Sequence, residues 1–144
     1  MGGLLVKLEV EAEVRKTEDP EKVKKAILSI FPGLQLDIKK DVICGEGSDV
    51  MLLSRFRELL RKQAILDAAR SVMNAGVSDE NSMCFRLNKQ AAFVGKVSFT
   101  NGESPMGPIV VKIWAEDLKR MIDYLAPKTK NGVPLYEIDY LLDP

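Results

Sequence analysis

The chain has 144 residues and no net formal charge, with 21 Lys and Arg against 21 Asp and Glu; 46% of its side chains are apolar and 29% charged. These proportions fit one soluble domain with its own core and exclude both wholesale disorder and a uniformly basic nucleic-acid binder. Histidine is absent, and the two cysteines, Cys44 and Cys84, have no metal-binding or redox spacing. Ser-His-Asp and Cys-His catalysis and histidine metal centres are thereby removed, so no enzyme activity, metal or cofactor is expected. No apolar run reaches the ~20 residues that span a bilayer. Lys7 interrupts any secretory leader, and Val6 occupies the position where a myristoylation signal needs Ser or Thr. A cytoplasmic protein without membrane contact is expected.

Residues 4–14 alternate, with Leu4, Val6, Leu8, Val10, Ala12 and Val14 on one side and Lys7, Glu9, Glu11, Glu13 and Arg15 on the other. Period two with one charged face predicts a strand packed on a core from one side. Thr17-Glu18-Asp19-Pro20 opens a helix in which Val23, Ala26, Ile27 and Ile30 share a face, and Phe31-Pro32-Gly33 ends it. Weaker alternation over residues 34–44, with a turn at Lys39-Lys40-Asp41, predicts a strand pair. Gly45-Glu46-Gly47-Ser48 reads as a loop; it lacks the third glycine of a dinucleotide fingerprint.

Residues 49–75 are helical in pattern, but the apolar face moves. Leu52, Leu53, Phe56, Leu59 and Leu60 fill one arc, while Ala64, Ile65, Ala68, Ala69, Val72 and Met73 centre on nearly the opposite one. Two helices broken near Lys62-Gln63, or one helix buried on different sides, would both produce this. Three strand-like segments follow, at residues 83–87, 93–100 and 109–114, with an Asn-Gly turn after the second. Trp114 reads as core, and Phe85, Phe93 and Phe99 as partly core. Ala115-Glu116-Asp117 opens a last helix with Leu118, Met121, Ile122 and Leu125 on one face. The order β-α-β-β-α(α)-β-β-β-α predicts an α+β fold: a mostly antiparallel sheet with helices packed on one face. Residues 1–130 form the expected domain, and residues 131–144 a tail whose apolar content favours docking on that domain.

Charge is unevenly distributed. Residues 50–98 carry eight basic and four acidic side chains, between ends that each carry two more acids than bases. Five of those eight are arginines, suited to bidentate phosphate contact. Arg57 and Arg61 share a helix face, with Lys62 and Arg70 further along. The run Leu87 to Lys96 sets Asn88, Lys89, Gln90 and Lys96 beside small residues, with no acid nearby in the chain. Phosphate-directed contact by Arg57, Arg61, Lys62, Arg70, Lys89 and Lys96, with hydrogen bonds from Asn88 and Gln90, is one reading. Solvated helix faces and a tight strand connection are the other. The phosphate reading requires folding to gather these groups on one surface. Residues 50–126 also show the α-β-β-β-α order of the double-stranded-RNA-binding domain, but Ala115, Glu116 and Asp117 replace the basic cluster that opens its second helix.

Several blocks in fixed order resemble an archaeal family of predicted RNA-binding proteins: residues 11–15 with 17–23, 56–63 with 65–70, the run 87–97, and 125–129. The resemblance covers roughly residues 5 to 130. It implies an α+β sandwich like that of the fifth large-subunit ribosomal protein, a link to the archaeal exosome and an RNA partner. It supplies no catalytic residues. A non-catalytic subunit with protein partners, or a homodimer assembled through the wet sheet face or the tail, is the alternative expectation.

Overall fold

The computed structural model describes residues 5–101 and 106–138. Alternation in β1 (Val6–Glu13) buries Val6, Leu8, Val10 and Ala12 and leaves Lys7, Glu11 and Glu13 exposed. β1 lies at the centre of a five-stranded antiparallel sheet, between β3 (Val42–Gly47) and β5 (Pro108–Ala115). β2 (Leu36–Lys39) borders β3, and β4 (Ser82–Asn88) borders β5. Leu8 sits between Gly47 and Ile113, and Ala12 between Ile43 and Ile109. A one-residue slip would turn every one of these to solvent, so the burial pattern fixes the register. The helices cover the apolar face and leave the other open, the α+β arrangement expected from the sequence.

α1 (Pro20–Ile30) begins as its sequence dictates. The Asp19 side chain accepts the Glu21 N–H, Pro20 opens the first turn, and Val23, Ala26, Ile27 and Ile30 are buried. Residues 45–47, expected in a loop, instead form the second half of β3. A Cβ on Gly45 would meet Leu36 Cδ2 at 2.6 Å, and one on Gly47 would overlap Leu52 Cδ1. The glycines there answer a lack of room rather than a turn.

Of the two readings of residues 49–75, the structure takes the broken helix. A 3₁₀ turn (Val50–Leu53) leads into α2 (Ser54–Lys62), and α3 (Leu66–Ala75) follows a break at which Ala64 has φ 56°. The break re-aims the chain, so Leu66, Ala69 and Met73 are buried while Ala64 and Ala68, expected inside, are exposed.

The expected strand over residues 93–100 is absent. Asn88 caps a short helix, α4 (Lys89–Phe93), by accepting the Ala91 N–H. The Gln63 side chain then takes both the N–H and the C=O of Val97, leaving only a single bridge between Phe99 and Leu87. The double-stranded-RNA-binding order of elements is lost with that strand. The turn expected after it falls partly on residues 102–105, outside those described. Trp114, expected in the core, lies on the open face at 37% exposure, between Lys7 and Ser82. Phe85 is buried and stacks on Phe56, which meets Phe31 in turn.

α5 (Leu118–Leu125), capped by Asp117, buries Leu118, Met121, Ile122 and Leu125 as expected. After it a small hairpin, β6 (Thr129–Lys130) and β7 (Val133–Pro134), carries Tyr136 and Glu137 back towards α5 and α2. Among the described residues, no helix is long and apolar enough to cross a membrane.

Candidate nucleic-acid interface

α2 lays its polar edge along the C-terminal end of α5, where unpaired carbonyls and the helix dipole attract cations. Arg57 Nε donates to the Tyr124 carbonyl at 2.9 Å, and its guanidinium stacks 4.4 Å from the Tyr124 ring centre. One turn later Arg61 Nη1 donates to the carbonyls of Arg57 and Leu125, each at 2.9 Å. From α3, Arg70 Nη1 reaches the Ala126 carbonyl at 3.0 Å and Asp123 Oδ1 at 2.8 Å. Asp123 also accepts from the Tyr136 hydroxyl at 2.9 Å.

Folding thus brings Arg57, Arg61 and Arg70 together, but around protein partners. Glu137 completes the group: Arg61 Nε donates to its Oε2 at 2.8 Å, and Arg61 Nη2 and Arg57 Nη2 to its Oε1 at 2.5 and 3.1 Å. The Arg61 hydrogen bond holds the Glu137 carboxyl below the usual glutamate range, against the opposing effect of burial.

Lys89 behaves differently from what its neighbours in the chain suggest. Its side chain is 5% exposed, and Nζ donates to the Glu13 carbonyl at 2.7 Å, the Met106 carbonyl at 2.7 Å and Glu18 Oε1 at 3.0 Å. All three ammonium hydrogens are used, so Lys89 fastens α4 to the end of β1 and has no free donor for a ligand. Asn88 is likewise spent as a helix cap. Lys62 is exposed beside Glu58, which also holds Arg55; the Lys62 hydrogen bond is the main cause of a lowered Glu58 carboxyl.

Gln90 and Lys96 remain exposed. Of the eight residues, Arg57, Arg61 and Arg70 thus share the end of α5, Lys89 is buried, Asn88 is a cap, and Lys62, Gln90 and Lys96 stand exposed. Sequence reasoning missed a second cluster. Thr17, Lys22, Gln90 and Phe93 line a cleft of roughly 380 Å³ between α1 and α4, with the Lys89–Glu18 pair among its walls. Lys25 Nζ sits 4.8 Å from the Phe93 ring centre. Lys22, Lys25 and Lys96 have no ion-pair partner among the described residues. Lys22 and Lys25, three apart on the polar side of α1, were the available signal. Among the described residues, no group of three His, Cys, Asp or Glu side chains is placed to hold a metal.

A family model described as RNA binding matches residues 7–115. The UPF0201 protein of Methanopyrus kandleri is 48% identical over 139 residues, covering 87% of each chain. This chain belongs to the UPF0201 family. The crystal structure of the UPF0201 protein from Methanococcus jannaschii is similar to it at 46% identity and a TM-score of 0.81, covering 90% of this chain and 99% of that one. A DUF54 protein from Archaeoglobus fulgidus shares 28% identity and a TM-score of 0.65, over 85% of this chain and 96% of its own. The archaeal family expected from the sequence blocks is therefore present. The RNA-binding match takes in α1, α4 and Lys96, and ends before α5 and the Glu137 segment.

Proposed function

We propose that this UPF0201 chain binds structured RNA, without catalysis, on the side where α1 and α4 meet. The observation that carries the reading is the RNA-binding family match over residues 7–115. Lys22, Lys25 and Lys96 supply cations for backbone phosphates, with Lys62 one residue from Gln63, whose amide ties α2 to Val97 beside Lys96. Thr17 and Gln90 supply hydrogen bonds for phosphate or 2′-hydroxyl oxygens. Lys89 supports the cleft indirectly by countering the Glu18 charge in its wall. The exosome link implied by the sequence resemblance belongs to the same proposal, because a subunit of this kind would present RNA rather than cut it.

Filter binding of an RNA hairpin at two salt concentrations tests the reading. Affinity should fall steeply as salt rises, and Lys22→Ala with Lys25→Ala should reduce the logarithmic salt slope by about one for each lysine. Absence of binding at low salt, or a slope indifferent to both substitutions, rejects it. The alternative of an assembly subunit has one observation in its favour, the half-exposed Trp114 on the open sheet. Light scattering that returns a dimer mass without RNA would support that alternative.

A further inference from the structure

Arg57 and Arg61 form a fork that Glu137 fills and that backbone carbonyls also hold. Backbone carbonyls of α2 and α5 fix both guanidinium planes: Tyr124 for Arg57, and Arg57, Leu125 and, at 3.3 Å, Tyr124 for Arg61. The Tyr124 ring supports Arg57 from below. Arg61 Nε, Arg61 Nη2 and Arg57 Nη2 converge on one carboxylate. Two oxygens gripped by a guanidinium edge is also the way arginine holds a phosphate diester.

The present occupant is held by three hydrogen bonds from the two arginines. Its segment exposes Val133 and Leu135 by 65% and 60%, and is anchored by the Leu135 N–H on the Lys128 carbonyl, Tyr136 on Asp123, and the Ile138 carbonyl near Arg57 Nη2 at 3.4 Å. Both arginines lie inside the RNA-binding match, whereas Glu137 lies beyond it.

We infer that Arg57 and Arg61 are a second phosphate site for RNA, and that Glu137 is an internal competitor which a backbone phosphate displaces. The inference rests on the RNA-binding reading. The displaced carboxylate returns to water, and the carbonyl partners keep the fork open for the incoming group. No covalent step is involved.

The experiment compares the full chain with Glu137→Gln, which keeps shape and removes charge. Inorganic phosphate is titrated while the Arg57 and Arg61 Nε–H signals are followed by NMR, and RNA-hairpin affinity is measured at one fixed salt. In E137Q the Arg61 signal should move with phosphate at concentrations that leave the wild type unmoved. RNA affinity should rise about fivefold, the order of gain from releasing a partly exposed carboxylate that pairs with both arginines. Adding Arg61→Gln should abolish the gain. Tyr136→Phe loosens the same segment from Asp123 and leaves both arginines in place, so a smaller gain in the same direction is expected even if E137Q folds poorly. Equal RNA binding by wild type, E137Q and Y136F overturns the inference while leaving the RNA reading intact. If none of them binds RNA, that reading fails, and an Arg61 signal unmoved by phosphate in E137Q overturns the site as well.

Discussion

Lys89 shows how far one side chain's role can lie from its local sequence. Its partner Glu18 is 71 positions away, and both side chains are nearly closed to solvent. Replacing Lys89 by Met leaves the nearly buried Glu18 carboxylate without its cation, though the Arg15 N–H still donates to it, and takes the ammonium donor from the Glu13 and Met106 carbonyls, a loss of about 3 kcal/mol. Urea denaturation should show that drop, and a midpoint equal to wild type would reject the assigned role. Glu137 gives a pH prediction. Arg61 and Arg57 on α2 face its carboxyl, beside the carbonyl-bearing end of α5, and lower its folded value below the unfolded one. The contact's stabilisation is therefore complete above the unfolded value and is lost as pH falls through the folded value. The protection factor of the Leu135 amide, its intrinsic exchange rate divided by the observed one, should be high at neutral pH and fall as the carboxylate is protonated. Unchanged protection across the carboxylate range would contradict it.

Among the elements, those with clean periodicity were legible: β1, α1 and α5 have the buried faces their spacing predicts. The failures have local physical causes. Glycines at 45 and 47 look like loop residues, yet they sit in β3 because neighbouring leucines leave no space for a Cβ. Residues 93–100 look like a strand, yet an Asn88 cap and a Gln63 amide outcompete the sheet for their backbone groups. The α2–α3 break depends on a left-handed Ala64, which no residue type announces. Ala64→Gly should raise stability by about 1 kcal/mol, because alanine is strained at that φ and glycine is not. Gly76→Ala should act in the opposite sense, costing about 2 kcal/mol, because its Cβ would run into the Cys84 carbonyl and push β4 aside. Thermal melts of the two variants should move in opposite directions, and a shared direction would refute this account of the backbone.

For the whole molecule, the charge split along the chain is real but misleading. The basic middle third is folded against its own acidic flanks: Glu18 from the N-terminal third reaches Lys89, while Asp123 and Glu137 from the C-terminal third reach Arg70, Arg57 and Arg61. Composition could show the asymmetry but not the cancellation, which depends on contacts dozens of positions apart. Lys22 and Lys25 lie on α1, on the helical side of the sheet, and Trp114 lies on the other, two residues from the exposed Lys112. As the chain's single tryptophan, it gives a direct test of orientation. Acrylamide should quench it readily in the free protein and equally well with RNA bound; strong protection by RNA would move the interface to the open face.

The two borders of the sheet are also unlike. β4 is closed along its outer side: Cys84 N–H bonds to the Gly76 carbonyl, Asn88 N–H to that of Ser98, and Thr100 N–H to that of Arg86. At the opposite border β2 offers only four residues, Asp37 and Lys39 among them. A sheet that can recruit a neighbour at one end alone joins once and stops, so strand-by-strand growth into fibres has no second end from which to continue.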